Sequence, residues 1–173
     1  MIRHSLRTHA RNAVTTGTVA GLASLATAVV CARRQHGRPA APVNAVSHIW
    51  SGRHPLPHAL APTPRNALIG LLLHQGASVF WASFFEPLFG GRAERSTAAA
   101  IVGGISVSAA AYVTDYHIVS PRFRPGFEVS VTGRSLFLVY AARAAGFAAA
   151  ARLRGLRHHQ VENDDERHEG RNA

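Results

Sequence analysis

Residues 13–32, AVTTGTVAGLASLATAVVCA, are twenty consecutive positions without a charged side chain. A helix rises about 1.5 Å per residue, so this stretch reaches across the roughly 30 Å hydrocarbon layer of a bilayer. Three more apolar runs follow at residues 67–85, 97–119 and 135–151, each set off by proline, glycine or clustered arginine. The pattern predicts an all-α fold: an integral membrane four-helix bundle of transmembrane helices, with a Pro-rich loop after helix 1. Residues 1–12 form a basic arm, residues 13–152 the four-span membrane domain, and residues 153–173 a charged, disordered C-terminal tail almost free of large apolar side chains.

Average composition conceals this pattern. Hydrophobic residues make up 47% of the chain, because oily runs alternate with very basic connectors. The formal charge is +10 and all nineteen basic residues are arginine, which invites a nucleic-acid reading. The arginines, however, cluster at the ends of apolar runs, where their stems can lie along lipid while the guanidinium reaches headgroups. No recognition motif accompanies them, so the expected partner is the lipid bilayer and no nucleic acid. Cys31 is the single cysteine, which excludes an intrachain disulfide.

The first run raises two alternatives. Its basic start and the small residues at 26–28 fit a signal peptide, but its length exceeds the usual signal core. Gly17, Gly21, Ser24 and Ala28 follow one stripe of a helix and continue to Cys31, letting another helix approach closely. Packing within the chain is the preferred reading; a homo-oligomer or another membrane protein is the alternative. Residues 33–65 hold six of the nine prolines, which forbids one continuous helix. Within them, PVNAVSHIWSG offers Val43, Val46, Ile49 and Trp50 as one face of a short helix, with Trp50 at an interface. Pro87 and the following FGG are expected to end the second run. Arginines balance eight against eight across the two sides, and the leading arginine-rich arm argues for cytoplasmic termini.

Polar groups interrupt the oily runs at few places, one of them LLLHQGASVFWASFFEP, residues 71–87. In a four-span bundle His74 and Arg143 fall roughly 10 to 12 Å below the same surface, with Asp115 and His117 near it. Gly70, His74, Ser78 and Trp81 share one helix face, Gly104, Ser108, Ala111 and Asp115 a second, and Leu136, Tyr140, Arg143 and Phe147 a third. Turned inward, these faces create a polar patch of His74, Gln75, Asp115, His117, Tyr140 and Arg143. An arginine at mid-span costs on the order of 3 kcal/mol on insertion scales, so Arg143 needs a partner. Asp115 is the expected one, accepting two hydrogen bonds from the guanidinium. Glu86 is expected at the opposite surface, balancing Arg92 and Arg95.

His48, His74, Asp115 and His117 are acceptable metal-ligand types, yet their spacing matches no metal motif. No metal, cofactor or catalytic residue is therefore expected. The blocks PVNAVSHIWSG, LHQGASVFWASFFEPLFG and AYVTDYHIVSPRFRPGFE resemble a group of small four-span inner-membrane proteins of proteobacteria. That resemblance covers roughly residues 42–140 and implies a bacterial inner-membrane location and a helical fold, with no activity and no site residues. Function then falls among three classes: a structural or interaction protein first, a small transporter, channel subunit or proton relay second, and a metal-dependent membrane enzyme third.

Overall fold

The structure is a computed structural model that describes the backbone of residues 2–169 and the side chains of residues 7–158 and 160. Every element among the described residues is helical. Helix α1 spans Ile2–His36. Three short helices follow, α2 (Ala41–Val46), α3 (His48–Ser51) and α4 (Pro55–Leu60). Then come α5 (Pro64–Phe85), α6 (Gly91–Arg95), α7 (Thr97–Val113) and α8 (Gly133–Glu169). Four segments, Arg7–His36, Pro64–Arg95, Thr97–Ile118 and Gly133–His158, are long and apolar enough to cross a membrane.

Two span ends differ from expectation. Pro87 does not stop the second span: the chain widens into a π-helical turn, Glu86–Gly90, and continues as α6. Such a turn accommodates a proline because the extra residue moves the ring off the preceding carbonyl, and only one ladder bond is lost. A second π turn, Thr114–Ile118, closes α7. The fourth span does not fray beyond Arg152, since α8 remains helical to Glu169. There Gly155 lies against α6, close enough that a Cβ would stand 2.8 Å from the Glu94 carbonyl carbon. Arg154, expected to be solvated, instead donates to Glu94 on α6, whereas Arg157 and His158 are exposed.

Helices α1 and α8 run antiparallel. At one end the Gln35 amide donates to Ser135 Oγ at 2.5 Å and its carbonyl accepts the Thr132 N–H at 3.1 Å. At the other, Arg154 Nη1 donates to Thr16 Oγ1 at 3.1 Å. The Gly17 and Gly21 stripe packs within the chain: a Cβ at Gly17 would lie 2.5 Å from Val79 Cα, while Ser24 and Ala28 are fully buried. Among the described residues two larger apolar clusters fill the bundle, and a small third one, Ala41, Ala45 and Ala59, lies in the connector. Of the larger two, one holds Leu25, Val46, Phe127 and Val139 near the connector, and the other Ala20, Phe85, Val107 and Phe147 towards the termini.

The Pro-rich connector is folded rather than loose. Pro42, Asn44, Ala45 and Val46 are buried, and Gly70 lets the α2 backbone at Val43 lie directly on α5. The Asn44 carbonyl oxygen Oδ1 accepts the Thr63 N–H at 2.9 Å, tying the connector's start to its end. Trp50 is 72% exposed.

Candidate functional site

Arg143 and Arg154 both lie on α8, eleven residues apart. Eleven residues make three helical turns to within about 20°, so both project from one face, separated by about 16 Å along the axis. Each meets an acid carried by a π-helical turn, Asp115 in one case and Glu86 in the other.

The terminal-side cluster is closed. Glu86 is buried and accepts the Thr16 hydroxyl at 2.6 Å on one oxygen and Arg154 Nη2 at 2.8 Å on the other. Arg154 Nε donates to Glu94 Oε1 at 2.6 Å, and Arg152 donates to the Glu94 carbonyl. One guanidinium thus reaches two carboxylates and a hydroxyl, stitching α1, the π turn, α6 and α8 together. The expected balance of Glu86 by Arg92 and Arg95 does not form. Arg92 donates instead to the Leu88 carbonyl at 2.7 Å, and Arg95 is exposed.

The connector-side cluster is looser. The Tyr140 hydroxyl donates to Asp115 Oδ2 at 2.6 Å, and Ser108 fixes the backbone there by donating to the Tyr140 carbonyl at 2.6 Å. Arg143 Nη1 stands 3.9 Å from the same carboxylate oxygen, beyond hydrogen-bond reach, so the expected two-bond pairing is absent. Its guanidinium lies 5.2 Å from the centre of the Tyr140 ring, a cation–π contact. Nε and Nη1 of this buried side chain have no hydrogen-bond acceptor among the described residues.

The other four expected positions divide. His74 is buried but turns towards α1, its Nε2 3.0 Å from the Gly21 carbonyl and 3.1 Å from Ser24 Oγ. Its ring edge rests on Phe127 at 5.5 Å. Gln75 faces the same helix: its Oε1 is buried without a donor, against Gly21. His117 is exposed and packs only its ring against Tyr112 at 5.6 Å. Two positions along a helix rotate a side chain by roughly half a revolution, which carries His117 away from the face of Asp115. His48 is buried in the connector with Nδ1 2.8 Å from the Ala45 carbonyl. The four metal-ligand types therefore do not converge, and among the described residues no three His, Cys, Asp or Glu side chains gather as a metal site would need.

Sequence reading missed Thr16, Glu94 and Arg154. The eleven-residue spacing of Arg143 and Arg154 was the available signal, hidden by ending the span at residue 151. Ser24 carried a second signal, because its stripe position puts a hydroxyl where α5 presents His74. Compared with known proteins, the chain matches no protein-family model, no curated protein and no solved structure.

Proposed function

We propose that the chain is a multi-pass protein of the bacterial inner membrane with cytoplasmic termini, acting as a structural or interaction protein. Four helices of spanning length support insertion, and the three blocks that resemble proteobacterial inner-membrane proteins support the compartment. The leading arginine-rich arm supports the orientation. The bilayer is its solvent, and a second copy or another membrane protein is the partner class.

One observation carries the choice of a structural role. Between the two arginine clusters, the buried face of α8 presents Phe147 and Ala151, both fully buried, against Ala20, Ala82 and Phe85. The Phe85 and Phe147 rings stack at 5.3 Å. An ion or proton path needs polar groups or water along its length. Among the described residues no chain of side-chain hydrogen bonds joins the clusters, and the stacked Phe85 and Phe147 rings lie between arginines whose positions are about 16 Å apart along α8. The arginines then serve to fix helix register, a use of buried charge for specificity.

A path entered from the connector side is the second reading, favoured by Arg143 Nε and Nη1 having no acceptor among the described residues. Proton flux into proteoliposomes holding the purified chain separates the two. The structural reading expects flux equal to empty vesicles; flux that disappears in Asp115→Asn would overturn it.

A further inference from the structure

The connector carries a cluster of polar side chains separate from the arginine pairs. Ser47 and Ser51 stand one helical turn apart, and α4 returns His58 between them. His58 Nδ1 lies 2.7 Å from Ser47 Oγ, and its Nε2 lies 3.1 Å from Ser51 Oγ. The buried Ser47 hydroxyl donates to the Asn44 carbonyl at 2.7 Å. With its only hydrogen committed there, Ser47 Oγ accepts, so His58 Nδ1 carries the ring hydrogen. Nε2 is left as a lone pair facing the Ser51 hydroxyl.

This is the order of a nucleophile, a base and an orienting group. Ser51 is exposed, His58 half-buried and Ser47 buried. The Ser51 hydroxyl has a second acceptor within reach, the His48 carbonyl at 3.2 Å, so it is shared in the resting state. Desolvation first, then repulsion from His48 and Arg53, holds the His58 pKa below its ordinary 6.5. The imidazole is therefore neutral, and able to accept a proton, at neutral pH.

Positive charge lies beside the serine, and apolar side chains are exposed on its connector. Gly52, at φ +68°, turns the chain sharply after Ser51. The Arg122 guanidinium lies over that glycine, its Nη2 3.3 Å from where a Cβ would stand. The Arg53 N–H points at Ser51 Oγ at 3.4 Å. Trp50, Leu56 and Leu60 are all exposed on the same connector, the arrangement of a segment lying at an apolar–water boundary.

We propose that Ser51 is a nucleophile served by His58 and positioned by Ser47, and that it hydrolyses carboxylic esters with long apolar chains presented at the membrane surface. Ser51 Oγ bonds to the ester carbonyl carbon while its proton passes to His58 Nε2. Arg122 meets the charge that develops on the carbonyl oxygen. The bond to the leaving alcohol breaks, and the alcohol takes the proton from Nε2. Water then gives a proton to Nε2 and attacks the acyl-serine carbon, releasing the carboxylic acid and returning the hydrogen to Ser51. The choice of substrate rests on the membrane placement proposed above, whereas the nucleophile does not.

The test is covalent labelling of the full chain in detergent with a fluorophosphonate, which phosphonylates activated serines and releases fluoride, followed by peptide mass spectrometry. An adduct on Ser51 is expected, absent in Ser51→Ala and forming about 100-fold more slowly or worse in His58→Ala. The labelling rate should rise with pH as His58 loses its proton, with a midpoint below that of an ordinary imidazole. No Ser51 adduct at pH 8 in protein whose melting transition is intact overturns the proposal. An adduct indifferent to His58→Ala also overturns it, because the bonds then only pin α3 to α4. Turnover of p-nitrophenyl esters in micelles tests the substrate class independently: a preference for long over short acyl chains supports it, and equal rates overturn it.

Discussion

The guanidinium of Arg154 has acceptors within 3.1 Å on three side chains, whereas that of Arg143 stands 3.9 Å from its acid. The two should answer substitution differently. Glu86→Gln removes one of the two carboxylates facing Arg154, Glu94 remaining, and should cost about 1 to 3 kcal/mol, read as unfolding in detergent. The pair Glu86→Gln and Arg154→Gln should recover part of that loss, the coupling that a double-mutant cycle measures. At the connector side Asp115→Leu strands a buried Arg143 and should lower folded yield. Arg143→Leu leaves Asp115 with the Tyr140 hydroxyl and a partly exposed side chain, so its loss should be smaller. Changing both to leucine should be tolerated; equal losses in all three variants would contradict this ordering.

Helix contacts depend on small residues at crossing points, and the positions can be ranked. Gly17→Leu would drive a side chain into the α5 backbone at Val79 and should separate α1 from α5, with a loss of about 1 to 3 kcal/mol or of folding altogether. Gly76→Ala on α5 meets nothing within 4 Å and should leave the melting temperature unchanged or slightly raised. Similar behaviour of the two variants would refute the assigned α1–α5 interface. The α1 stripe was legible because small residues recur at helical spacing. The π turns were not, since the sequence marks them only by a proline that ordinarily ends a helix. Their effect is on direction: each extra residue rotates the following side chains, and each turn carries the acid that meets an arginine of α8.

For the molecule as a whole, the four membrane crossings proposed above would put residue 53 of the connector on one side and residue 157 on the other. Single cysteines at positions 53 and 157, introduced in a Cys31→Ala background, should therefore react with an impermeant thiol reagent from opposite sides of the membrane. Position 53 should label in intact cells and position 157 only after permeabilisation. Equal labelling would contradict the four-span arrangement. The first span packs into that arrangement: the Thr16 hydroxyl donates to Glu86, and the Gly21 carbonyl and Ser24 hydroxyl lie within hydrogen-bond distance of His74 Nε2. Cleavage near residue 28 would remove them.

Hydropathy is a local property, so the four apolar runs, their helical character and the inward faces carrying His74, Ser108, Tyr140 and Arg143 could be read directly from residue order. Depth and spacing put Asp115 and Tyr140 in one patch, but the partner expected for Asp115 was Arg143, which stands 3.9 Å away while the Tyr140 hydroxyl takes the carboxylate. The union of Glu86 with Arg154 joins positions 68 residues apart and depends on two local events, a proline absorbed by a π turn and a charged segment held helical by acceptors on α6. His58 likewise meets Ser47 and Ser51 only once α4 folds back across the connector. Burial pattern is written residue by residue, but which acceptor a buried donor finds is settled by helix rotation and chain reversal, and those arise only when the elements pack.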